Sequence, residues 1–598
     1  MLGWTPAFFL MVMIGSNGFE GGGMQPIVTR RTLIAGEAEG PVLFSDTGLS
    51  FWGGVDPLTG VVIDHHHPLF GRSISGTMLA IPSGRGSCTG SCVMLELILN
   101  GVAPKALILE QREDILPLGV IIAQEMFGLS LPVVQIDPEH FAALGHVTYV
   151  KLEDGYLFYS GDEKSHREAV KIALPQVIAS QVKLTLQDQA LLRGEGGQAS
   201  QLAMAIVVRM AGLYEAKELV DVTKGHIDGC IYIGPGGLSF AERLADRGAQ
   251  VAIPTTLNAI SIDRRNWRHQ GIDPALGDPA ERLANAYLRM GCQASYTCAP
   301  YLLDSAPTFG EQIVWAESNA VVYANSVIGA RTMKYPDYLD ICVALTGRAP
   351  LTGCHLEEGR RPQLVIDVER FTQCDDQFYP LLGYHIGLLA PAHIPFITGL
   401  DHLHPTQDDL KAFGAAFATT SAAPMVHIDT ITPEAGLHQE LQKTLPHKHV
   451  TSADLRASWH SLNSTAAHPV DLIAIGNPHA SCKEIETIAS LCRASTQKFV
   501  ADVVITCGRG EYDKAVAAGH VAPIEARGGR FVTDTCWCML TEPVIPPLAK
   551  VIMTNSGKYA HYAPGLVGRD MRFGSLADCI YVACGVAVSS APPAWLGA

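Results

Sequence analysis

The sequence predicts an α/β protein in two parts, a compact β/α domain followed by a much larger α/β body. Three observations carry this. At 598 residues the chain exceeds what one hydrophobic core accommodates, so roughly two to four domains are expected. Residues 27–150 are short Val/Ile/Leu runs alternating with two helical stretches and Gly/Pro turns. Beyond residue 182 strand–loop–helix units recur: "GCIYIGPGGLSFAERLADRG", "QVAIPTTLNAI", "DLIAIGNPHASCKEIETIASLC" and "KFVADVVITCGRGEYDKAVAAG". Each sets Gly, Pro, Ser or Asn just past an apolar strand, the edge at which open α/β sheets bind ligands.

In chain order, residues 1–23 hold an apolar run at 8–14 with no Lys or Arg before it, far short of the ~20 residues that span a bilayer. It reads as a dispensable extension or a start placed too early, with a cryptic targeting segment as the alternative. A cytoplasmic protein is expected. Residues 24–160 form the first domain, with strands predicted at 41–44, 61–63, 78–81, 106–109 and 133–136 and helices at 92–99 and 118–126. "GDEKSHREAVKIALPQVIASQVKLT" begins charged and carries a central Pro, which predicts a linker over 161–181. The body occupies 182–598.

Apolar residues make up 47% and charged ones 17%, the balance of a folded chain rather than a disordered one. A net charge of −16 argues against a general nucleic-acid or anionic-membrane partner, while leaving room for one local anion pocket. The 15 cysteines lack the dense spacing of a small secreted domain, so a reduced compartment is expected, with most thiols as small core residues.

"IPSGRGSCTGSC" (81–92) has glycines at 84, 86 and 90, one residue too long for a dinucleotide fingerprint and without a P-loop lysine. Between an apolar strand and an apolar helix, such a loop offers backbone N–H groups and a helix dipole to an anion, and would stabilise an alkoxide on Ser87. A tight turn with serine N-caps is the other reading. "MGCQASYTCAPYLL" carries Cys292 and Cys298; "TGRAPLTGCHLEEGR" carries Arg348, Cys354 and His355; "FVTDTCWCML" carries Cys536 and Cys538, just after a strand. No spacing matches a zinc ribbon or a ferredoxin run. Cysteines on three such loops could still hold a non-standard iron–sulfur cluster if the fold brings them together.

"ESNAVVYANSVIGARTMKYPDYLDI" concentrates Glu317, Ser318, Asn319, Asn325 and Arg331, which suits a small carboxylate or, equally, helix capping with a surface ion pair. "TNSGKYAHYAPG" gathers Asn555, Ser556, Lys558, His561 and Tyr562, a site or a polar loop. "IDHHHPLFG" reads as turn chemistry. His226 and Asp228 in "KGHIDGCIYIG" share one strand face and read as an acid/base pair or as core polar pairing.

Taken together, "HPLFGRSISGTMLAIPSGRGSCTGS", "HIDGCIYIG", "YTCAPYL", "ESNAVVYANSVIGARTMKYPDYLDI", "LTGRAPLTGCH", "IGNPHAS", "TDTC" and "NSGKYAHYAPG" resemble, in this order, aconitase X, the divergent branch of the aconitase superfamily, in its fused form. The resemblance runs from Met24 to about Val588. It implies an aconitase-like, large multi-subdomain α/β body holding an iron–sulfur cluster, plus an N-terminal swivelling β/α domain that brings a serine over a small carboxylate substrate. It also implies a monomer with no obligate partner subunit, no nucleic acid and no membrane.

The implied activity is a hydro-lyase, with fused members dehydrating cis-3-hydroxy-L-proline to Δ1-pyrroline-2-carboxylate in hydroxyproline catabolism. Mevalonate 5-phosphate dehydration and a non-catalytic, cluster-bearing regulatory role are the alternatives. Carried over by residue, Ser87 is the catalytic base. Cys298 and Cys536 are cluster ligands, with Cys354 as the third and Cys482 in reserve, because Asn477 and Ala480 stand where split members have a cysteine. The cluster is of 2Fe-2S or 3Fe/4Fe-4S type. Arg331, Asn325, Lys558, Ser556 and His226 are the expected substrate-binding residues.

Overall fold

A computed structural model describes residues 31–160, 170–173, 182–464, 469–494 and 497–597. The expected extension at 1–23 lies outside the described residues. The first domain contains β1 (Arg31–Ile34), β2 (Ala38–Phe44), β3 (Met78–Ile81), α1 (Gly90–Leu99), β4 (Ala106–Leu109), α2 (Leu116–Phe127), β5 (Val133–Gln135), β6 (Tyr149–Glu153), β7 (Tyr156–Ser160) and β8 (Val170–Ala173). Its sheet runs β1-β5-β4-β3-β2-β6-β7-β8, parallel from β5 to β2 and antiparallel outside that core.

The parallel centre is buried on both faces, as parallel strands require. Leu79, Ile81, Leu107 and Leu109 pack under α1 and α2, while Met78, Ala80, Ala106 and Ile108 meet Phe141, Leu144 and Val150 on the opposite face. This is the period-two alternation of a strand. α2 starts on Pro117 in its first turn and stops at Gly128, whose φ of +70° forms a left-handed cap.

Two expectations change. Residues 61–63 make isolated bridges, Val55 to Val62 and Val61 to Ser73, rather than a strand. The run is short and lies between turns at Gly60 and Gly71, both at positive φ. Part of 161–181, expected to be a linker, supplies the edge strand β8 against β7; the rest of that segment lies outside the described residues.

The body holds three parallel sheets. One orders Thr255–Leu257, Gly225–Ile227, Val314–Trp315; a second His427–Ile428, Pro395–Thr398, Leu364–Val368, His447–Val450; a third Gly529–Thr533, Asp502–Cys507, Leu472–Ile475, Val551–Thr554, Asp570–Phe573. The second and third have cores largely their own. The first shares its core with α1 and α2. That docking is polar as well as apolar: the Glu96 carboxylate of α1 accepts the Gly236 and Gly237 N–H groups (2.8 and 3.2 Å) at the start of helix Pro235–Asp246. No helix of the described residues is long and apolar enough to cross a membrane.

Candidate active site

The carboxyl ends of the first and third body sheets deliver the polar residues, as open α/β sheets do. Asp228 follows Gly225–Ile227, Asn258 follows Thr255–Leu257 and Glu317 follows Val314–Trp315; the Asn477–His479 loop, Cys536 and Lys558 follow strands of the third sheet. Asn258 donates from Nδ2 to the Asp228 carboxyl and, at 3.4 Å, to Glu317 Oε2. Lys558 Nζ stands 3.0 Å from Glu317 Oε1, which Asn319 also caps. Burial opposes the Glu317 charge, but the Lys558 ammonium and the Asn319 donors outweigh it and hold this carboxyl below its ordinary range. Asp228 goes the other way, pushed well up by burial and by the Glu317 charge. Glu317 is the anion and Asp228 the neutral acid.

Beside this pair lie three buried thiols. Cys536 is in hydrogen-bonding contact with both Cys298 and Cys538. His479 N–H donates to Cys298 Sγ at 3.3 Å, Asn477 Nδ2 to Cys538 Sγ at 3.2 Å and Cys538 N–H to Cys536 Sγ at 3.3 Å. The thiol of Cys536 is pushed up to about 12, first by its bond with Cys298. Burial opposes the Lys558 charge, yet Glu317 and these three sulfurs hold it well above the ordinary lysine range.

The first domain reaches in through its glycine loop. The hydroxyls of Ser87 and Thr89 lie 3.1 Å apart, Thr89 N–H donates to Ser87 Oγ at 3.3 Å, and the Thr89 hydroxyl is 3.3 Å from Asp228 Oδ2. Thr89, at the N-cap of α1, makes no side-chain capping bond; its hydroxyl serves this chain instead. Gly86, at φ +78°, turns the loop against Tyr562 and Ser50, and its carbonyl accepts from Ser318 Oγ at 3.3 Å. A cavity of about 290 Å³ opens beside the loop, lined by Gly84, Arg85, Gly86, Arg112, Glu113 and Lys334. Arg85 pairs with Asp64 at 2.7 Å through Nη2 and keeps a buried Nε without a partner. Burial holds the Lys334 ammonium below its ordinary value.

Of the residues expected from sequence, the fold gathers Ser87, Cys298, Cys536, Lys558 and His226. His226 is fully buried, with Nδ1 2.8 Å from Thr256 Oγ1 and Nε2 unpartnered; burial pulls it down to about 4, so it is neutral. Ser556 lies next to Lys558 but its hydroxyl caps helix Gly557–Val567, accepting from Tyr559 N–H. Asn325 is structural: its amide bonds Thr332 and Pro424 backbone and the Arg360 guanidinium. Arg331 is turned to Glu357 and the His355 carbonyl. Cys354 packs in the second sheet's core with Sγ toward Gly359 O, apart from the three thiols. Cys482 heads helix Cys482–Arg493, where its N–H bonds Glu511.

The thiol that completes the group is Cys538. The strand does not continue past Thr533: Asp534 takes φ +69° and residues 537–539 form a 3-10 turn, so Cys536 and Cys538 reach the same centre. Thr89, Asn258, Arg85 and Lys334 were not singled out from sequence. Arg85 and Thr89 lie inside the quoted glycine loop, and Asn258 and Lys334 inside other quoted segments, so their neighbourhoods but not their roles were legible.

Fold and site together define an aconitase-like protein, a segmented α/β body whose centre is closed by a serine loop from a swivel domain. The chain belongs to the aconitase X family. Its residues match the family models for the swivel domain (27–158) and the first (181–358), second (362–460) and third (470–585) domains. It is 53% identical over 573 residues to a cis-3-hydroxy-L-proline dehydratase of Pseudomonas aeruginosa, covering 95% of this chain and 98% of that one. It is 51% identical over 560 residues to a protein of the same name from Hypocrea jecorina, covering 92% and 94%. The crystal structure of Thermococcus kodakaraensis aconitase X (holo-form) is similar at a TM-score of 0.61 and 31% identity, covering 67% of this chain and 99% of that one.

Proposed function

We propose that this chain is a hydro-lyase that removes water from cis-3-hydroxy-L-proline to give Δ1-pyrroline-2-carboxylate. The observation that carries the reading is the Ser87–Thr89–Asp228 chain, which ties a swivel-domain hydroxyl to the carboxyl end of a body strand. The two relatives above supply the substrate and, matching along nearly their whole lengths, support a chain that needs no separate swivel subunit.

Cys298, Cys536 and Cys538 would hold an iron–sulfur cluster. Three buried thiols with N–H donors directed at each sulfur, and an ammonium beside them, suit thiolate ligation. When bound, such a cluster with an open iron position supplies Lewis acidity toward the departing hydroxyl.

The remaining work falls to side chains. A serine alkoxide needs donors, and Ser87 Oγ has one in the Thr89 N–H, while its own hydroxyl donates to Thr89 Oγ1. The Thr89 hydroxyl donates in turn to Asp228 Oδ2, so the two hydroxyls run from Ser87 to the carboxyl end of the body strand. Ser87 takes the Cα proton as the C3–O bond breaks, and that proton and the C3 hydroxide make up the water released. The enamine product then tautomerises to the cyclic imine. Arg85, which lines the cavity, pairs with the substrate carboxylate, while Lys558 keeps Glu317 ionised.

The test is turnover of cis-3-hydroxy-L-proline by the anaerobically purified protein and by Ser87→Ala. The wild type should form pyrroline carboxylate, and S87A should lose about 10²–10⁴-fold in kcat with its iron content unchanged. An iron-replete S87A protein with normal turnover would remove Ser87 from the role. A wild type inert on this substrate but active on mevalonate 5-phosphate would overturn the substrate.

A further inference from the structure

A second ligand set lies in the second body domain, built from nitrogen and oxygen rather than sulfur. His427 on strand His427–Ile428, Glu434, and His438 at the end of the 3-10 turn Ala435–His438 are all buried, and one ligand atom from each lies within 4.8 Å of the others. Among the described residues this is the one group of three such side chains so closely placed.

His427 carries the strongest sign of purpose. It is fully buried, and its Nε2 stands 2.7 Å from the Arg360 carbonyl. A carbonyl only accepts, so Nε2 bears the proton and Nδ1 holds a lone pair. That Nδ1 has no partner. A ring whose N–H is fixed by a backbone carbonyl, whose other nitrogen keeps a free lone pair and which stands beside a carboxylate and a second imidazole is held as a metal ligand is held. The His438 ring lies edge-on to it, with centroids 4.6 Å apart.

Glu434 is held by Arg360, whose Nε lies 2.8 and 3.1 Å and Nη2 2.9 Å from the carboxylate oxygens. Those bonds fix the carboxylate and leave it one of about four acceptor directions. Because Arg360 already neutralises it, the empty set has no net negative charge. That disfavours calcium or magnesium, which need several anionic oxygens, and favours an ion that binds neutral imidazole. Two histidines and one carboxylate are a zinc donor set, with water completing the shell on the side of His438, the more exposed of the two rings.

We propose that His427, Glu434 and His438 form a mononuclear site for a divalent transition ion of the zinc type, separate from the thiol centre. Its role is structural. It pins the turn from residue 428 to 438 onto Arg360, whose guanidinium also holds the Asn325 carbonyl and side chain and the Cys354 carbonyl.

The test uses the full-length protein, purified anaerobically with its own metal complement, and zinc alone as the probe. Zinc per chain is measured by elemental analysis after equilibration with chelator-buffered zinc, and its ligands by X-ray absorption at the zinc edge. The wild type should take up one zinc with a shell of nitrogen and oxygen only. His438→Ala, at the exposed side of the set, should fold, keep its iron and bind that zinc at least about tenfold more weakly. His427→Gln serves as the second variant, with the same expected loss. No zinc bound by the wild type at micromolar free concentration, equal binding by both variants, or sulfur in the zinc shell would each overturn the proposal.

Discussion

Gly86→Ala tests whether the serine loop works only when seated against the body. Gly86 has φ +78°, and a Cβ built there would meet the Tyr562 hydroxyl at 2.6 Å and Ser50 Oγ at 2.9 Å, where ordinary contact begins near 3.4 Å. Both neighbours are buried, so neither swings clear. The left-handed backbone costs an alanine about 1–2 kcal/mol by itself. Gly128 supplies the control: its φ is +70°, with nothing within 4 Å of the added carbon. Gly128→Ala therefore carries the same backbone penalty without the collision. In Gly86→Ala the loop must move outward by several tenths of an ångström, taking Ser87 with it. A displacement of ~1 Å in a reacting group costs about 10²-fold in rate. The assay is kcat on cis-3-hydroxy-L-proline, with iron content and thermal unfolding measured alongside. Gly86→Ala should lose about 100-fold in kcat and keep its iron, since all three thiols belong to the body, while Gly128→Ala stays within about twofold of wild type. The reasoning fails if Gly86→Ala turns over within about threefold of wild type, or if Gly128→Ala loses as much.

Other expectations follow from named contacts. Cys538→Ser should lower iron per chain, and Cys354→Ala should leave it unchanged, measured on anaerobically prepared protein; the reverse order would return Cys354 to the ligand set. Asp188, with a fully buried carboxylate 2.8 Å from Arg348 Nε, is held below its usual 3.8 because Arg348 and Thr185 outweigh its burial. Its stabilisation is present above pH 3.8 and lost as pH falls through the lower folded value, and Asp188→Asn should cost about 3 kcal/mol at pH 7, read by urea unfolding. His355, between the Tyr335 hydroxyl and Gln312 Oε1, is pulled down to about 3 by burial, then by Arg360 and Arg331. Between pH 6.5 and about 3 the unfolded chain binds a proton that the native one refuses, so stability rises with pH across that window. Acidifying from pH 7 to 5 costs about 2 kcal/mol at this residue, and His355→Gln should show a shallower loss.

What the sequence made legible was whatever depends on neighbours along the chain. The core strands at 78–81 and 106–109 were placed to the residue because four consecutive apolar side chains between Gly/Pro turns have one economical fate, a strand covered on both faces. The glycine loop was legible because Gly86 and Ser87 sit between such a strand and an apolar helix. Residues 61–63 were not, since three apolar residues between positive-φ glycines satisfy a turn as well as a strand. Arg331 was read as a substrate ligand because its sequence neighbours are Asn and Ser; its partner, Glu357, is 26 residues away in another loop, and local composition carries no trace of it.

The third thiol shows the same boundary most sharply. Along "TDTCWCML" alternation would put Cys536 and Cys538, two residues apart, on one strand face, while the resemblance directs the third ligand place to Cys354, a cysteine beside a histidine in a glycine-rich loop. What sets the actual geometry is a backbone event, the left-handed Asp534, held where its carboxylate pairs with Arg509 at 2.5 Å and its carbonyl accepts the Ile260 N–H at 2.7 Å. Ile260 belongs to the first body domain and Arg509 to the third. The direction of Cys538 is therefore set by partners outside the octapeptide that contains it, Arg509 in the same body domain and Ile260 in another. Removing Arg509 tests this directly: with Arg509→Met the Asp534 carboxylate loses its counter-charge, and iron per chain should fall although no thiol has changed. Full iron retention in a folded Arg509→Met protein would mean that the turn is fixed locally after all.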